Sequence, residues 1–495
     1  MSAMATQQSR PDTGRSIPLL SEWRWGLLFA GFALMLVAIM PPGDVTLDGH
    51  SMQEVTRSIL GGHGLKVACQ EGTAVGRGGA CYSTFYPLQS LLAVPLMALG
   101  RGVAHVVGGP PTFVGNLFAL LLPVLAAAGT AVFTVDFAGR LGASRGRALL
   151  AGATVVFATE LAIYGRTFHA ESLATLLTCM LVWGFLRSDR WRLLAPVGIA
   201  LLILAKPELL LIGLAVGAVF ALRERRPRPF IEAVVGTAAG TILYGIYNYL
   251  RFVSFTNFGG ADRQEHLSQL VPWKVAKAIA LLGVSPGRGL IWYSPIVIFG
   301  LYVAWKRRSE TLAVVALAIL VAALILYLGN PGTGANWADR YLAPAVPLLA
   351  ACAWSYKRHV AIAPVLALVG LVIALPTFAG FYERYFDEKA QAGVPNSHLY
   401  WSVAHAPIFG VWGSSARELN SARHSDVYQV AHAPSPPPRK GGTPVAQVRF
   451  YKVVNQWWWM TPAAKVPRII GVLVALVMFA GGVLLLVRPR LRPLA

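Results

Sequence analysis

Acidic residues are scarce in this 495-residue chain: 22 Asp and Glu stand against 43 Lys and Arg, and charged residues of both signs make up only 13%. A soluble protein carries about 25%, so an ordinary water-soluble globule is excluded. Cysteine is also rare, at four residues. Cys179 and Cys352 fall within apolar runs and read as small apolar side chains. Cys69 and Cys81 have no second Cys or His pair beside them to complete a metal site; in an oxidising compartment they could close a loop as a disulfide. The start, MSAMATQQSRPDTGRSIPLL, lacks an early apolar stretch with a small-residue cleavage site, so the first apolar run is expected to stay as an anchor. No internal repeat is visible.

What the chain has is hydrophobicity: 55% of residues and a mean hydropathy of +0.56. Apolar runs of roughly 18–22 residues predict an all-α polytopic membrane protein. We place twelve spans, at 23–40, 113–137, 148–165, 169–186, 193–205, 208–222, 231–250, 291–305, 310–328, 342–355, 359–379 and 467–487. Basic clusters occupy the short loops around Arg140–Arg147, Arg187–Arg192, Arg223–Arg228, Lys306–Arg308, Lys357–Arg358 and Arg488–Arg492. With this count they all fall on one side, which the positive-inside rule makes cytoplasmic. No basic patch lies on a soluble domain, which argues against a nucleic-acid partner. The bilayer is the expected partner.

Residues 86–106 are apolar but broken by Pro95 and Gly100, and read as an interfacial helix. Residues 275–284 read as a second short interfacial or re-entrant piece, and Lys206-Pro207-Glu208 as a tight outer turn. The predicted organisation is a cytoplasmic tail (1–22), a transmembrane module (23–379) with outer loop 41–112, an outer loop of mixed structure (380–466), and a last span with a basic tail (467–495). The late loop holds the linker-like 434–442, a strand-like stretch at 445–451, and Trp457-Trp458-Trp459, which reads as an interfacial anchor.

Against this shortage of acid, Asp44 and Asp48 stand just outside the first span. The plain reading is a helix cap or a solvated loop acid. The functional reading is a catalytic base, since an interfacial carboxylate can stay ionised and take a proton from a hydroxyl. Asp48 is preferred because it opens a helical stretch, where a carboxylate tends to stay ionised. His50 is placed to orient an acceptor, and Arg57 lies further along the same stretch. Tyr82, Tyr86 and Gln89 follow in the same loop, with aromatic faces and polar groups suited to a sugar or a lipid groove.

Ionisable groups at membrane edges are functional candidates by default. The turn Tyr164–Ser172 brings together Arg166, His169 and Glu171. An Arg166–Glu171 ion pair is the plain account; a second site carboxylate, or a phosphate contact by Arg166, is the alternative. His169 and Glu171 alone are weak evidence for a metal, and a divalent cation stays open. In Ser285-Pro286-Gly287-Arg288-Gly289, a glycine-flanked arginine before Tyr293 suits a phosphate through free backbone N–H groups and a guanidinium fork. In Asn336-Trp337-Ala338-Asp339-Arg340-Tyr341, Arg340 opposes the charge bias of its side and is expected to answer an anion, either Asp339 or a lipid phosphate. Lys206 lies on the same side.

Four stretches in order, Val55–Gly62, Tyr82–Leu96, Ser285–Pro295 and Trp337–Pro347, resemble the GT-C superfamily of membrane glycosyltransferases. That superfamily includes protein O-mannosyltransferases and the aminoarabinose transferase that modifies lipid A. The chain departs from it at Asn336–Tyr341, where relatives are often rich in glycine and tryptophan. The resemblance implies a bundle of about a dozen helices in a bacterial inner membrane, with the site facing the periplasm. It implies a polyprenyl-phosphate-linked sugar donor, a glycan, lipid or protein acceptor, and inversion at the anomeric carbon. Asp48 would be the base, Arg288 and Arg340 would hold the carrier phosphate, and loop 380–466 would help choose the acceptor. A flippase is the rival of another class. An O-antigen ligase or polymerase is a third reading, in which Arg384, His398, His405 and His424 of the late loop would matter more than Asp48.

Overall fold

The computed structural model describes residues 22–41, 46–69, 72–259, 272–327, 336–423, 428–429, 451–452, 457–460 and 468–487. Asp44, His424, the basic tail 488–495 and the linker 434–442 lie outside these residues.

Helix α1 (Glu22–Ala38) leads to α2 (Leu47–Leu60), whose start is capped by the Thr46 hydroxyl accepting from Gly49 N–H at 3.0 Å. A small antiparallel sheet follows: β1 (Lys66–Val67), β2 (Thr73–Val75) and β3 (Cys81–Ser83), in the order β1-β3-β2. Cys69 and Cys81 are joined in a disulfide that closes this sheet. Next come α3 (Pro87–Val107), α4 (Pro111–Ala119), α5 (Leu121–Arg140) and α6 (Arg145–Phe157). The short α7 (Leu161–Tyr164) precedes α8 (Glu171–Phe185), α9 (Leu194–Ala205), α10 (Leu210–Glu224) and α11 (Arg228–Phe252).

The second half holds α12 (Pro272–Gly283), α13 (Leu290–Tyr293), α14 (Ile296–Lys306), α15 (Thr311–Tyr327), α16 (Val346–Ser355) and α17 (Ile362–Ala379). After it come α18 (Glu383–Gln391), α19 (Asn396–Trp401), α20 (Pro407–Arg423) and α21 (Arg468–Val487). Of the strand expected at 445–451, residues 445–450 lie outside the described residues; Tyr451 belongs to a two-residue ladder, β4 (Tyr428–Gln429) with β5 (Tyr451–Lys452).

The protein is a multi-pass all-α membrane protein. Each expected span contains a helix. Among the described residues, five helices are long and apolar enough to cross a bilayer by length and composition: four in expected spans (Pro111–Arg140, Arg228–Phe252, Ile362–Ala379 and Ile469–Val487) and Pro87–Val107, which was expected to be interfacial. Every residue of α16 is buried, so it forms the centre of the bundle. On α11, α17 and α21, in contrast, many Leu, Val and Ile are exposed, as lipid-facing helices require. Small residues let helices close up: a Cβ on Gly236 would come within 2.5 Å of the Pro196 carbonyl oxygen, and one on Gly240 within 2.8 Å of that of Ala200. The last span packs on the first, with Gly482 against the Gly31 carbonyl.

Two expectations are corrected. α3 is a single helix running through both Pro95 and Gly100. It packs mainly on α2 and α4, and Arg57 of α2 reaches Asn116 of α4 at 2.9 Å. The chain therefore returns after α3 to the layer of α2. The expected span 148–165 is broken at Ala158–Glu160. There the Thr159 hydroxyl donates to Val155 O at 2.5 Å and accepts from Leu161 N–H at 3.3 Å, in place of a backbone bond.

The basic loops converge on one end of the bundle. Arg147 donates to Tyr356 O, Arg307 to Ser355 Oγ at 2.6 Å, and Arg223 to Ser309 O at 3.0 Å.

Candidate active site

At the opposite end, four chain segments far apart in sequence meet. Asp48 comes from the first turn of α2, His169 and Glu171 from the turn into α8, Lys206 from the end of α9, and Arg340 with Tyr341 from the connection before α16. Arg340 Nη1 lies 2.7 Å from Asp48 Oδ2 and 3.1 Å from His169 Nδ1; its Nε is 3.4 Å from Glu171 Oε1. Lys206 Nζ donates to Glu171 Oε1 at 2.7 Å. Tyr341 carries both cations on its ring, with Lys206 Nζ at 4.6 Å and the Arg340 guanidinium at 5.4 Å from its centre.

Exposure grades across this cluster. The Glu171, His169 and Lys206 side chains are 4%, 4% and 6% exposed, but Arg340 is 14% and Asp48 21% exposed. The Asp48–Arg340 pair is thus the most exposed edge of the cluster. Burial works against the Arg340 charge, yet Asp48, Tyr341 and Glu171 outweigh it and raise its pKa well above the ordinary value. Its ion-pair contacts are with Asp48 and Glu171, and it reaches the adjacent Asp339 only through its wider field.

A dense layer lies behind. Ala338 takes φ of 57°, a left-handed conformation that costs a non-glycine residue about 1–2 kcal/mol. The bend buries Trp337 and Asp339. The Tyr164 hydroxyl donates to Trp337 O at 2.5 Å, and Tyr293 meets the Trp337 ring edge-on at 4.8 Å. Asp339 Oδ1 accepts from Tyr341 N–H at 3.2 Å, while Oδ2 has no hydrogen-bond partner among the described residues. Burial raises its pKa to about 7, against the pull of Arg288, Lys206 and Arg340. Fully buried Glu160 also has neither carboxylate oxygen bonded among the described residues. Glu160 was missed in the sequence, although a lone acid inside an apolar run is a signal that could have found it.

Other predicted site residues go elsewhere. Arg166 donates to Ala162 O at 2.9 Å, Ile39 O at 3.1 Å and Thr377 O at 2.7 Å, and lies over Phe378. It ties main chain together, so its expected phosphate role and its ion pair with Glu171 are both corrected. Arg288 is buried against Tyr400, with Asp339 within its electrostatic reach. Its loop is closed: Gly287 N–H donates to Tyr400 O, and the N–H groups of Arg288 and Gly289 to Ser285 O. A Cβ on Gly287 would come within 2.0 Å of Leu399 O. The expected free N–H cradle for a phosphate is therefore already filled by protein.

His50 pairs with Glu54 at 3.5 Å, and burial and then Arg57 lower its pKa. Arg57 is held by Glu54 at 2.5 Å and by Asn116. Neither joins the Asp48 cluster. Tyr82 and Tyr86 face α11, against Phe252 and Tyr244 respectively. Gln89 is fully buried with neither amide atom bonded among the described residues. In the late loop, Arg384 bonds Glu388 at 3.1 Å, and His398 stacks on His405 at 6.1 Å. Among the described residues, no group of three or more His, Cys, Asp and Glu is arranged to hold a metal ion.

Neither a family model nor a curated protein matches this chain. Among solved structures, it is similar to ArnT from Cupriavidus metallidurans in the apo state (15% identity, 93% of this chain, 76% of that chain, TM-score 0.47). The same holds for ArnT bound to undecaprenyl phosphate (14% identity, 94% of this chain, 77% of that chain, TM-score 0.47). A third likeness is to the archaeal oligosaccharyltransferase AglB from Archaeoglobus fulgidus, in complex with an inhibitory peptide and a dolichol-phosphate (12% identity, 80% of this chain, 56% of that chain, TM-score 0.37).

Proposed function

We propose that the protein is a membrane glycosyltransferase that moves a sugar from a polyprenyl-phosphate carrier to an acceptor hydroxyl on the periplasmic face. The observation that carries this reading is the 2.7 Å pair between Asp48 and Arg340, set at the exposed edge of a buried charged cluster. In the unliganded protein each neutralises the other. A carrier phosphate arriving at Arg340 competes with Asp48 for the guanidinium, since phosphate accepts its fork well. Asp48 is then released beside the donor as a carboxylate able to take a proton.

The acceptor oxygen forms a bond to the anomeric carbon as the bond to the phosphate oxygen breaks. The proton goes to Asp48, and the polyprenyl phosphate leaves with the bonding pair. Attack opposite the leaving group inverts the anomeric centre. Lys206 and Glu171 hold Arg340 and His169 in place and keep the site's charge nearly balanced before the donor binds. The isoprenoid chain has a place in an apolar recess of about 590 Å³ between α6, α17 and α21, lined by Ile39, Phe157, Leu371, Phe378 and Phe479. The recess begins at Ile39 and Phe378, both in contact with Arg166.

The test is transfer from radiolabelled polyprenyl-phosphate sugars in membranes holding matched amounts of wild type, Asp48→Asn and Asp44→Asn. We expect Asp48→Asn to lose activity by at least about 100-fold and Asp44→Asn to retain most of it. Full activity in Asp48→Asn would overturn the assignment of the base and turn attention to the late loop or to transport.

A further inference from the structure

The end of α1 is closed in an unusual way. Four consecutive carbonyls, those of Val37, Ala38, Ile39 and Met40, each receive a donor from a distant part of the chain. Trp458 Nε1 donates to Val37 O at 2.9 Å, Trp459 Nε1 to Ala38 O at 3.0 Å, Arg166 to Ile39 O at 3.1 Å, and Trp458 N–H to Met40 O at 2.9 Å. The last carbonyls of a helix lack internal partners, and water or a local cap usually meets them. Here the segment 457–460, just before the last span, supplies three of the four donors.

Pro41 follows Met40 directly, and the Thr46 cap of α2 stands only six residues beyond Met40. At 3.3–3.6 Å per residue such a link spans about 20 Å at most, so the position of Met40 limits where α2 and Asp48 can lie. The tryptophans are also seated: the Trp459 side chain packs within 2.9 Å of the Cβ position of Gly471 on α21, and Trp457 stacks on Trp459 at 5.2 Å. A lipid-interface anchor requires only aromatic rings at the headgroup level; it does not require indole N–H groups spent on the main chain of another helix.

We propose that Trp458 and Trp459 are positioning residues through which the late loop sets the placement of Asp48. The catalytic part of this inference rests on the function proposed above; the mechanical part does not.

Trp458→Phe, Trp459→Phe and the double variant keep the rings and remove the indole donors. Trp457→Phe is the control, since the Trp457 Nε1 has no partner among the described residues. Amide hydrogen exchange of the full-length protein in nanodiscs is followed in peptides covering residues 46–60, with α8 and α16 as internal references. The double variant should exchange about tenfold faster across α2, with both reference helices and the Trp457→Phe protein unchanged. Unchanged exchange in α2 would overturn the proposal. Equal loosening of α8 and α16 would overturn it too, because the tryptophans would then be general staples of the bundle.

In the transfer assay, the double variant should lose kcat about tenfold with the KM for the carrier-linked sugar unchanged. A raised KM with intact kcat would overturn the catalytic part. Should the wild type transfer no sugar, the exchange result still decides the mechanical part, so the two failures are distinguishable.

Discussion

The two ends of the bundle spend their charges differently. At the basic end, most ion pairs are short in sequence: Arg140 with Asp136 at 2.6 Å, Arg228 with Glu232 at 2.8 Å, and Arg307 with Glu310 at 2.6 Å, although Arg192 also meets Glu232 across 40 residues at 2.9 Å. Several of its guanidinium groups also bond backbone carbonyls of neighbouring loops. At the other end, Asp48 meets Arg340 across 292 residues of sequence, and Lys206 meets Glu171 across 35. Local pairs stabilise the helix they sit on and little else. Long-range buried pairs are poor sources of net stability, since desolvation offsets most of their attraction. What the far end adds is one connected cluster, in which Asp48, His169, Glu171, Lys206 and Arg340 meet from four separate segments.

Charge removal should separate the two ends most sharply. Lys206→Met leaves Glu171 buried with one cation fewer and is expected to lower stability by about 3–5 kcal/mol. Arg228→Met, at a mostly exposed partner of Glu232 on the basic end, should cost about 0–1 kcal/mol. Denaturant unfolding in detergent micelles measures both, and equal losses would erase the contrast.

A smaller effect concerns pH. Asp339 binds its proton more tightly folded, with a pKa of about 7, than at its ordinary value of 3.8. The folded state therefore carries the extra proton between these values, and stability from this group falls as pH rises from about 4 to about 7, then levels. Asp339→Asn should flatten the thermal midpoint over that window. An unchanged pH profile would show that the buried carboxyl is not protonated there. The smallest expected effect is at Gln89. Gln89→Leu removes a buried amide with no bond among the described residues, so stability should hold or rise by about 1 kcal/mol. Transfer activity should fall if that amide faces the sugar. Activity preserved with stability lost would make Gln89 a structural residue served by water.

Much of this was legible before the fold. The apolar runs place helices at every expected span, and the basic clusters among the described residues gather at one end. Of the candidate site residues, Asp48, His169, Glu171, Lys206, Arg340 and Tyr341 come together. They were visible because an ionisable group at the edge of an apolar run is conspicuous whatever surrounds it. Arg166 and Arg288 were equally conspicuous, but residue type cannot show what a guanidinium is bonded to. Arg166 turned to three carbonyls, and the Arg288 guanidinium to the ring of Tyr400. Trp458 and Trp459 read as membrane anchors because aromatic clustering is visible in sequence, whereas the bonds of their indole N–H groups are not.

By itself the sequence determined which segments are apolar enough to leave water, which loops carry positive charge, and which rare acids lie at span ends. These are properties of residues and their near neighbours, set by transfer free energies. Tertiary structure alone decided that Arg340 forms its ion pair with Asp48 and not with Asp339, that α3 stays whole across its proline, and that the last loop holds the end of the first helix. Each depends on contacts between segments remote in sequence, whose energies are fixed only once packing has brought the two surfaces together.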